Sequence, residues 1–137
     1  MKSNIIFFLG AMLLSLVSCK HTGTSQSKVE GNYFVNPILP SGSNSNAFFY
    51  KGKYYYTHET NDMILLWETS DITDMAHALC KEVWRPTDPK SMHNLWAPEI
   101  HRINDKWYIY YAADDGNTDN HQIYVLENDA QNPMEGT

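Results

Sequence analysis

"AFFYKGKYYYTHE", residues 47–59, reads as two strands joined by a tight turn. The aromatic runs on either side suit a pleated, half-buried surface. Lys51-Gly52-Lys53 between them is a hairpin signal, because glycine reaches the positive φ that short hairpin turns need. The same design returns downstream. "EIHRI", "KWYIYYAA" and "QIYVLEN" are strand-like runs split by Asn104-Asp105 and by the polar stretch "DDGNTDNH".

The two stretches align as a repeat. Lys53-Tyr54-Tyr55-Tyr56 and Lys106-Trp107-Tyr108-Ile109 start 53 positions apart. Leu66 to Asp71 and Val125 to Asp129 hold equivalent places, offset further by a longer loop in the second unit. One unit of strand, tight turn, strand, loop, strand thus occurs twice; in the first the third strand is "MILLWETS" and a short fourth follows at "EVWRP". Between these, "DITDMAHALCK" has room for one helical turn starting at Asp71 or Thr73. A period of about 50 residues with four strands per unit is the arithmetic of β-propeller blades. A meandering β-sandwich is the alternative; the matched turns and aromatic positions favour blades. A propeller needs roughly four to eight blades to close. The second unit reaches "NPMEGT" before a fourth strand. The expected fold is therefore all-β, the first two blades of an incomplete propeller, with the edge of the last strand needing cover.

Composition narrows the function. The chain has 137 residues, 42% hydrophobic and 13% aromatic, with 9 Tyr. Aromatic rings supply flat faces for sugars as well as strand packing. The net charge of −6 and the lack of a basic patch argue against a nucleic-acid partner. At the N-terminus, Lys2 precedes the apolar run "IIFFLGAMLLSLVS" and then Cys19. The run is shorter than the ~20 residues a membrane-spanning helix needs and fits a secretory signal. "LVSC", residues 16–19, resembles a bacterial lipobox, which implies cleavage before Cys19 and lipid on that residue; a plain signal peptide with a chance cysteine is the alternative. Residues 1–18 then form the signal and 19–32 a polar tether. Residues 33–137 form the propeller part. The expected location is exported and membrane-anchored. Cys80, the second of 2 cysteines, has no disulfide partner after processing.

"NPILPSG" (36–42), "KGKYYYTHET" (51–60), "ILLWETSDITD" (64–74) and above all "LWAPEIH" (95–101) followed by "KWYIYYAADDG" (106–116) resemble glycoside hydrolase family 43. The likeness is to its extracellular members acting on arabinose- or xylose-containing glycans of plant polysaccharides. It implies a five-bladed propeller with an axial pocket and no cofactor. Three carboxylates act there: a general base, a general acid, and an Asp that tunes the acid. Hydrolysis inverts the anomeric centre, with the two carboxyl groups across a water-sized gap.

Aligning Gly42 and Gly52 with the family's two glycines puts Asn44 on the base, Ser45 on a Pro and Asn46 on an aromatic residue. An amide nitrogen has no basic lone pair at neutral pH, so Asn44 can orient water without deprotonating it. The internal repeat pairs Asn44 with Ala97, Ser45 with Pro98 and Asn46 with Glu99. In the family, the acid and its tuning Asp come from later blades, and Glu99, Asp114 and Asp115 are not assigned those roles. The expectation is a truncated or diverged hydrolase, inactive as this chain alone. A non-catalytic glycan-binding lipoprotein or pseudoenzyme is the alternative. Asn46, Trp96 and Glu99 are the candidate sugar contacts; equally, Trp96 could pack between blades and Glu99 cap a turn. No metal is expected. Asp115, Asn117 and Asp119 have calcium-loop spacing, but Asn120 replaces the required Gly and Leu126 the required Glu, which leaves a solvated loop.

Overall fold

The computed structural model describes residues 34–136. Cys19, the signal and the tether lie outside the described residues. Among the described residues seven strands follow in chain order: β1 Asn46–Tyr50, β2 Lys53–Thr57, β3 Ile64–Thr69, β4 Leu79–Trp84, β5 His93–Ile103, β6 Lys106–Asp114 and β7 Gln122–Asn128. They form two antiparallel sheets, β1-β2-β3-β4 and β5-β6-β7, each a meander of neighbours in sequence. Among the described residues the architecture is all-β with no closed barrel, that of successive blades in an incomplete propeller.

The repeat seen in the sequence is a repeat in register. Asn46 pairs with Thr57 and Tyr50 with Lys53 in the first hairpin; Glu99 pairs with Tyr110 and Ile103 with Lys106 in the second. Each of these positions is its counterpart moved by 53 residues. Both turns use two residues at positive φ, Lys51 (49°) and Gly52 (81°), then Asn104 (48°) and Asp105 (64°). That combination matches the twist of the flanking strands. Gly, Asn and Asp accept it at low cost, so the turn chemistry fixes the register. The third strands keep the correspondence. Lys53 pairs with Glu68 across β2 and β3, and Lys106 with Glu127 across β6 and β7.

Alternation along the strands decides how the sheets stack. One face of β6 carries Trp107, Ile109, Tyr111 and Ala113, all buried. It packs with Ile100 of β5 against Tyr55, Ile64 and Leu66 of the first sheet. Phe48, Tyr50 and Tyr55 each meet the Trp107 indole edge-on at 5.1–5.8 Å. The counterparts of Phe48 and Tyr50 are His101 and Ile103, which stand on the opposite, outward face of the second sheet. That face exposes Ile103, Tyr110, Val125 and Ile123, the last 75% accessible. Each sheet thus offers one face forward and the other backward, as blades around an axis do.

The segment after β7 ties the sheets together. Met134 is buried in the shared core, and its carbonyl accepts from Lys81 Nζ at 2.8 Å. Asn132 Nδ2 donates to Glu68 Oε2 at 2.9 Å, and Trp107 Nε1 donates to the Gln131 carbonyl at 3.3 Å.

Three local expectations need adjusting. The helical turn is a 3-10 turn at Met75–His77, a few residues past its expected start. Asp71 instead closes the bend before it, accepting from the Thr73 N–H at 2.9 Å. β4 starts at Leu79, earlier than "EVWRP". β5 starts at His93 and runs through Ala97-Pro98, where sequence reasoning ends a strand because proline lacks an N–H. The ladder survives by shifting register between Trp96 and Glu99, which leaves Pro98 unpaired in a bulge.

Candidate functional site

The bulge in β5 has a twin at the start of β1. Ala97 and Asn44, matched by the 53-residue repeat, both have φ of 48°. On the near side of each, the ladder resumes at matching places. Trp96 pairs with Ala112, while the Glu59 N–H donates to the Ser43 carbonyl at 3.1 Å. Positive φ suits asparagine better than alanine, since its short polar side chain tolerates the left-handed region. A bulge re-aims side chains, and here it leaves Asn44 exposed at the start of β1.

Around Asn44 the packing is close. Gly42 lies at φ 141°, and a Cβ there would stand 3.1 Å from His58 Cγ and 3.3 Å from Tyr56 Oη, so any side chain at this position would be strained and crowded. His58 is buried, stacks on Trp67 at 4.6 Å, and its Nδ1 has no partner among the described residues. Burial holds its pKa below the ordinary histidine value. The Asn44 amide donates to Glu59 Oε2 at 2.7 Å, and Ser43 Oγ donates to the same oxygen at 3.1 Å.

The three expected sugar contacts fare differently. Asn46 Oδ1 accepts from the Ile100 N–H at 3.1 Å and so joins the first sheet to the second. Trp96 is half-buried, its ring 4.8 Å from that of His121. Glu99 lies within β5 and caps no turn; it is exposed, with His101 Nε2 3.4 Å away.

Behind Trp96 is a polar group that sequence reasoning missed. Asp114, at the end of β6, is fully buried and receives His121 Nδ1 at 2.6 Å, the Gly116 N–H at 2.8 Å and Asn94 Nδ2 at 2.9 Å. Burial pushes its pKa up, but the bonds from His121, Gly116 and Asn94 outweigh this and hold it below the usual carboxylate range. The loop beyond it is solvated as expected, with Asp115 and Asn117 accepting from local backbone N–H groups. Asp114 belongs to the strand, and the only signal for its role was a histidine seven residues on.

A cavity of about 260 Å³ lies elsewhere, lined by Val83, Trp84, Ile109, Val125 and Pro133 among others. None of Asn44, Asn46, Trp96 or Glu99 borders it. Trp107 is core; Trp84 is 41% exposed and donates to Tyr111 Oη at 3.2 Å.

Known proteins share this fold. An alpha-L-arabinofuranosidase from Lactobacillus brevis superposes with a TM-score of 0.68 at 26% identity, over 74% of this chain and 35% of that one. The extracellular exo-alpha-(1->5)-L-arabinofuranosidase of Streptomyces chartreusis is 37% identical over 110 residues, which is 76% of this chain and 33% of that protein. Its namesake from Streptomyces avermitilis is 34% identical over 111 residues, 76% of this chain and 23% of that protein. The chain spans 23% to 33% of the length of these curated relatives. Residues 34–136 match the family model of glycosyl hydrolases family 43, and with the doubled hairpin and its paired bulges the chain belongs to that family.

Proposed function

We propose that residues 33–137 form the base-side wall of a five-bladed, inverting glycoside hydrolase pocket for arabinose- or xylose-containing glycans. The observation that supports this best is the bulge at the start of β1. It exposes position 44, where the family resemblance puts the general base, beside a carboxylate 2.7 Å away. Trp96, at the matching place in β5, offers a stacking face for a pentose. Glu99 offers an acceptor for its hydroxyls, and Asn46 holds the two inner strands in position. The general acid and the Asp that tunes it are assigned to no residue of this chain. On that reading these residues alone bind glycan and do not cleave linkages with poor leaving groups. Residues 1–18 direct export and Cys19 carries the lipid anchor, with 19–32 as the tether.

The test is binding of arabinotriose and xylotriose, followed by calorimetry and tryptophan fluorescence. Trp96→Ala should weaken binding about tenfold, the scale of one lost aromatic contact of ~1.4 kcal/mol. Unchanged affinity in that variant would remove Trp96 from the site. Asn44 favours a second reading, a non-catalytic glycan-binding lipoprotein, because its amide cannot accept a proton. Fatty-acid labelling of cells, compared with Cys19→Ala, tests the anchor in either case; equal labelling would refute it.

A further inference from the structure

We propose that Glu59 is the proton acceptor of this site, in place of the residue at position 44. The inference rests on the reading above that the start of β1 handles sugar. Glu59 is anchored on both sides of its chain. Its N–H donates to the Ser43 carbonyl at 3.1 Å. Its Oε2 accepts from Asn44 Nδ2 at 2.7 Å and from Ser43 Oγ at 3.1 Å. Both side-chain donors are neutral and both bind the same oxygen. Oε1 has no hydrogen bond among the described residues, and no Lys, Arg or His there pairs with Glu59. The carboxylate is therefore oriented by one oxygen and has the other available for water.

The second sheet shows that the fold does not require this arrangement. The counterparts of Ser43, Asn44 and Glu59 are Trp96, Ala97 and Ala112. The same bulge, with the same φ, forms there with no carboxylate and no side-chain latch. A carboxylate absent from position 44 stands one hydrogen bond away, just past the end of β2. Asn44 then acts as a positioning residue: its amide holds the base that it cannot itself be.

The step is balanced without a general acid when the leaving group is 4-nitrophenolate. A water oxygen bonds to the anomeric carbon, and its proton passes to Glu59 Oε1. The bond from that carbon to the aryl oxygen breaks, and its electron pair leaves with the phenolate. The sugar is released with inverted configuration, and Glu59 returns its proton to solvent. An aryl substrate thus isolates the base step from the acid step.

The experiment measures hydrolysis of 4-nitrophenyl α-L-arabinofuranoside and β-D-xyloside by the full chain and its variants. The unchanged chain should turn over at least one of them slowly, against the sequence expectation that it is inactive alone. Glu59→Gln keeps an acceptor for Asn44 and Ser43 but loses basicity, and should fall by about 10² to 10⁴-fold. Added azide or formate should restore turnover to Glu59→Ala, which a merely structural role of Glu59 would not allow. Asn44→Asp in the Glu59→Gln background should also recover activity, because it returns a carboxylate to the neighbouring position. No turnover by the unchanged chain overturns the proposal, as does Glu59→Gln turning over like the unchanged chain. Arabinotriose binding measured alongside separates the two ideas. Binding without turnover sinks Glu59 as the base and spares the pocket; neither binding nor turnover sinks both.

Discussion

The two bulges, one just ahead of β1 and one within β5, share a backbone and differ in almost every side chain. Asn44 and Ala97 have the same φ, the hairpins behind them share one register, and the same Lys–Glu pair braces each outer ladder. At the first bulge stand Ser43, Asn44 and Glu59, joined by hydrogen bonds. At the second stand Trp96, Ala97 and Ala112, with an aromatic ring where the first has a hydroxyl. What recurs is what the sheet needs: turn geometry, alternation and register. What differs is where chemistry can be placed. A repeat of this kind makes each position a control for its counterpart.

The comparison breaks most sharply at positions 54 and 107. Trp107 is 1% exposed between the sheets, whereas its counterpart Tyr54 is only half-buried on the backward face of the first sheet. Trp107→Ala should cost about 3–5 kcal/mol in urea unfolding. Tyr54→Ala should cost less than half as much. Equal losses would mean that the two faces are packed alike and that the forward–backward stacking is wrong.

Positions 46 and 99 give a smaller contrast. Asn46→Ala removes the acceptor for the Ile100 N–H and leaves that donor without its partner, at a cost of about 1–3 kcal/mol. Glu99→Ala should stay within ~0.5 kcal/mol, as an exposed strand residue does. A large effect at Glu99 with none at Asn46 would reverse their roles.

Asp114 and its counterpart Asn61 supply the smallest effect, confined to acid. The folded-state pKa of Asp114 is depressed, so its contribution to stability is full above the unfolded carboxylate pKa of about 4. It is lost as pH falls through the lower folded value. Asp114→Asn should therefore unfold with a shallower loss of stability below pH ~4 than the unchanged chain. Parallel curves would show that the His121, Gly116 and Asn94 contacts do not act on this carboxylate.

Much of the fold was legible in the sequence because strands and turns leave local marks. Lys51-Gly52 and Asn104-Asp105 can take positive φ, and the alternation around them sets which face is buried. The 53-residue spacing then carried Asn44 to Ala97 before any coordinates. β5 was read too short because Pro98 ends a strand by local rules, and only tertiary pairing shows the ladder stepping over it. Glu59 was missed for a different reason. It reads as the polar end of a strand, and its meaning depends on Ser43 and Asn44 lying across a ladder from it, 15–16 residues away in sequence. Asp114 was hidden in the same way: it looked like the first residue of an acidic loop, and it is the last, buried residue of a strand.

The central claim is that the bulges ahead of β1 and within β5 form the glycan site. Amide chemical-shift mapping of the isotope-labelled chain with arabinotriose and with xylotriose tests it directly. The account predicts that shifts cluster at residues 42–46, 58–59 and 94–97 and that Glu59→Gln leaves that footprint in place. Shifts confined to the cavity beside Trp84 and Val125, or none with either sugar, would contradict it.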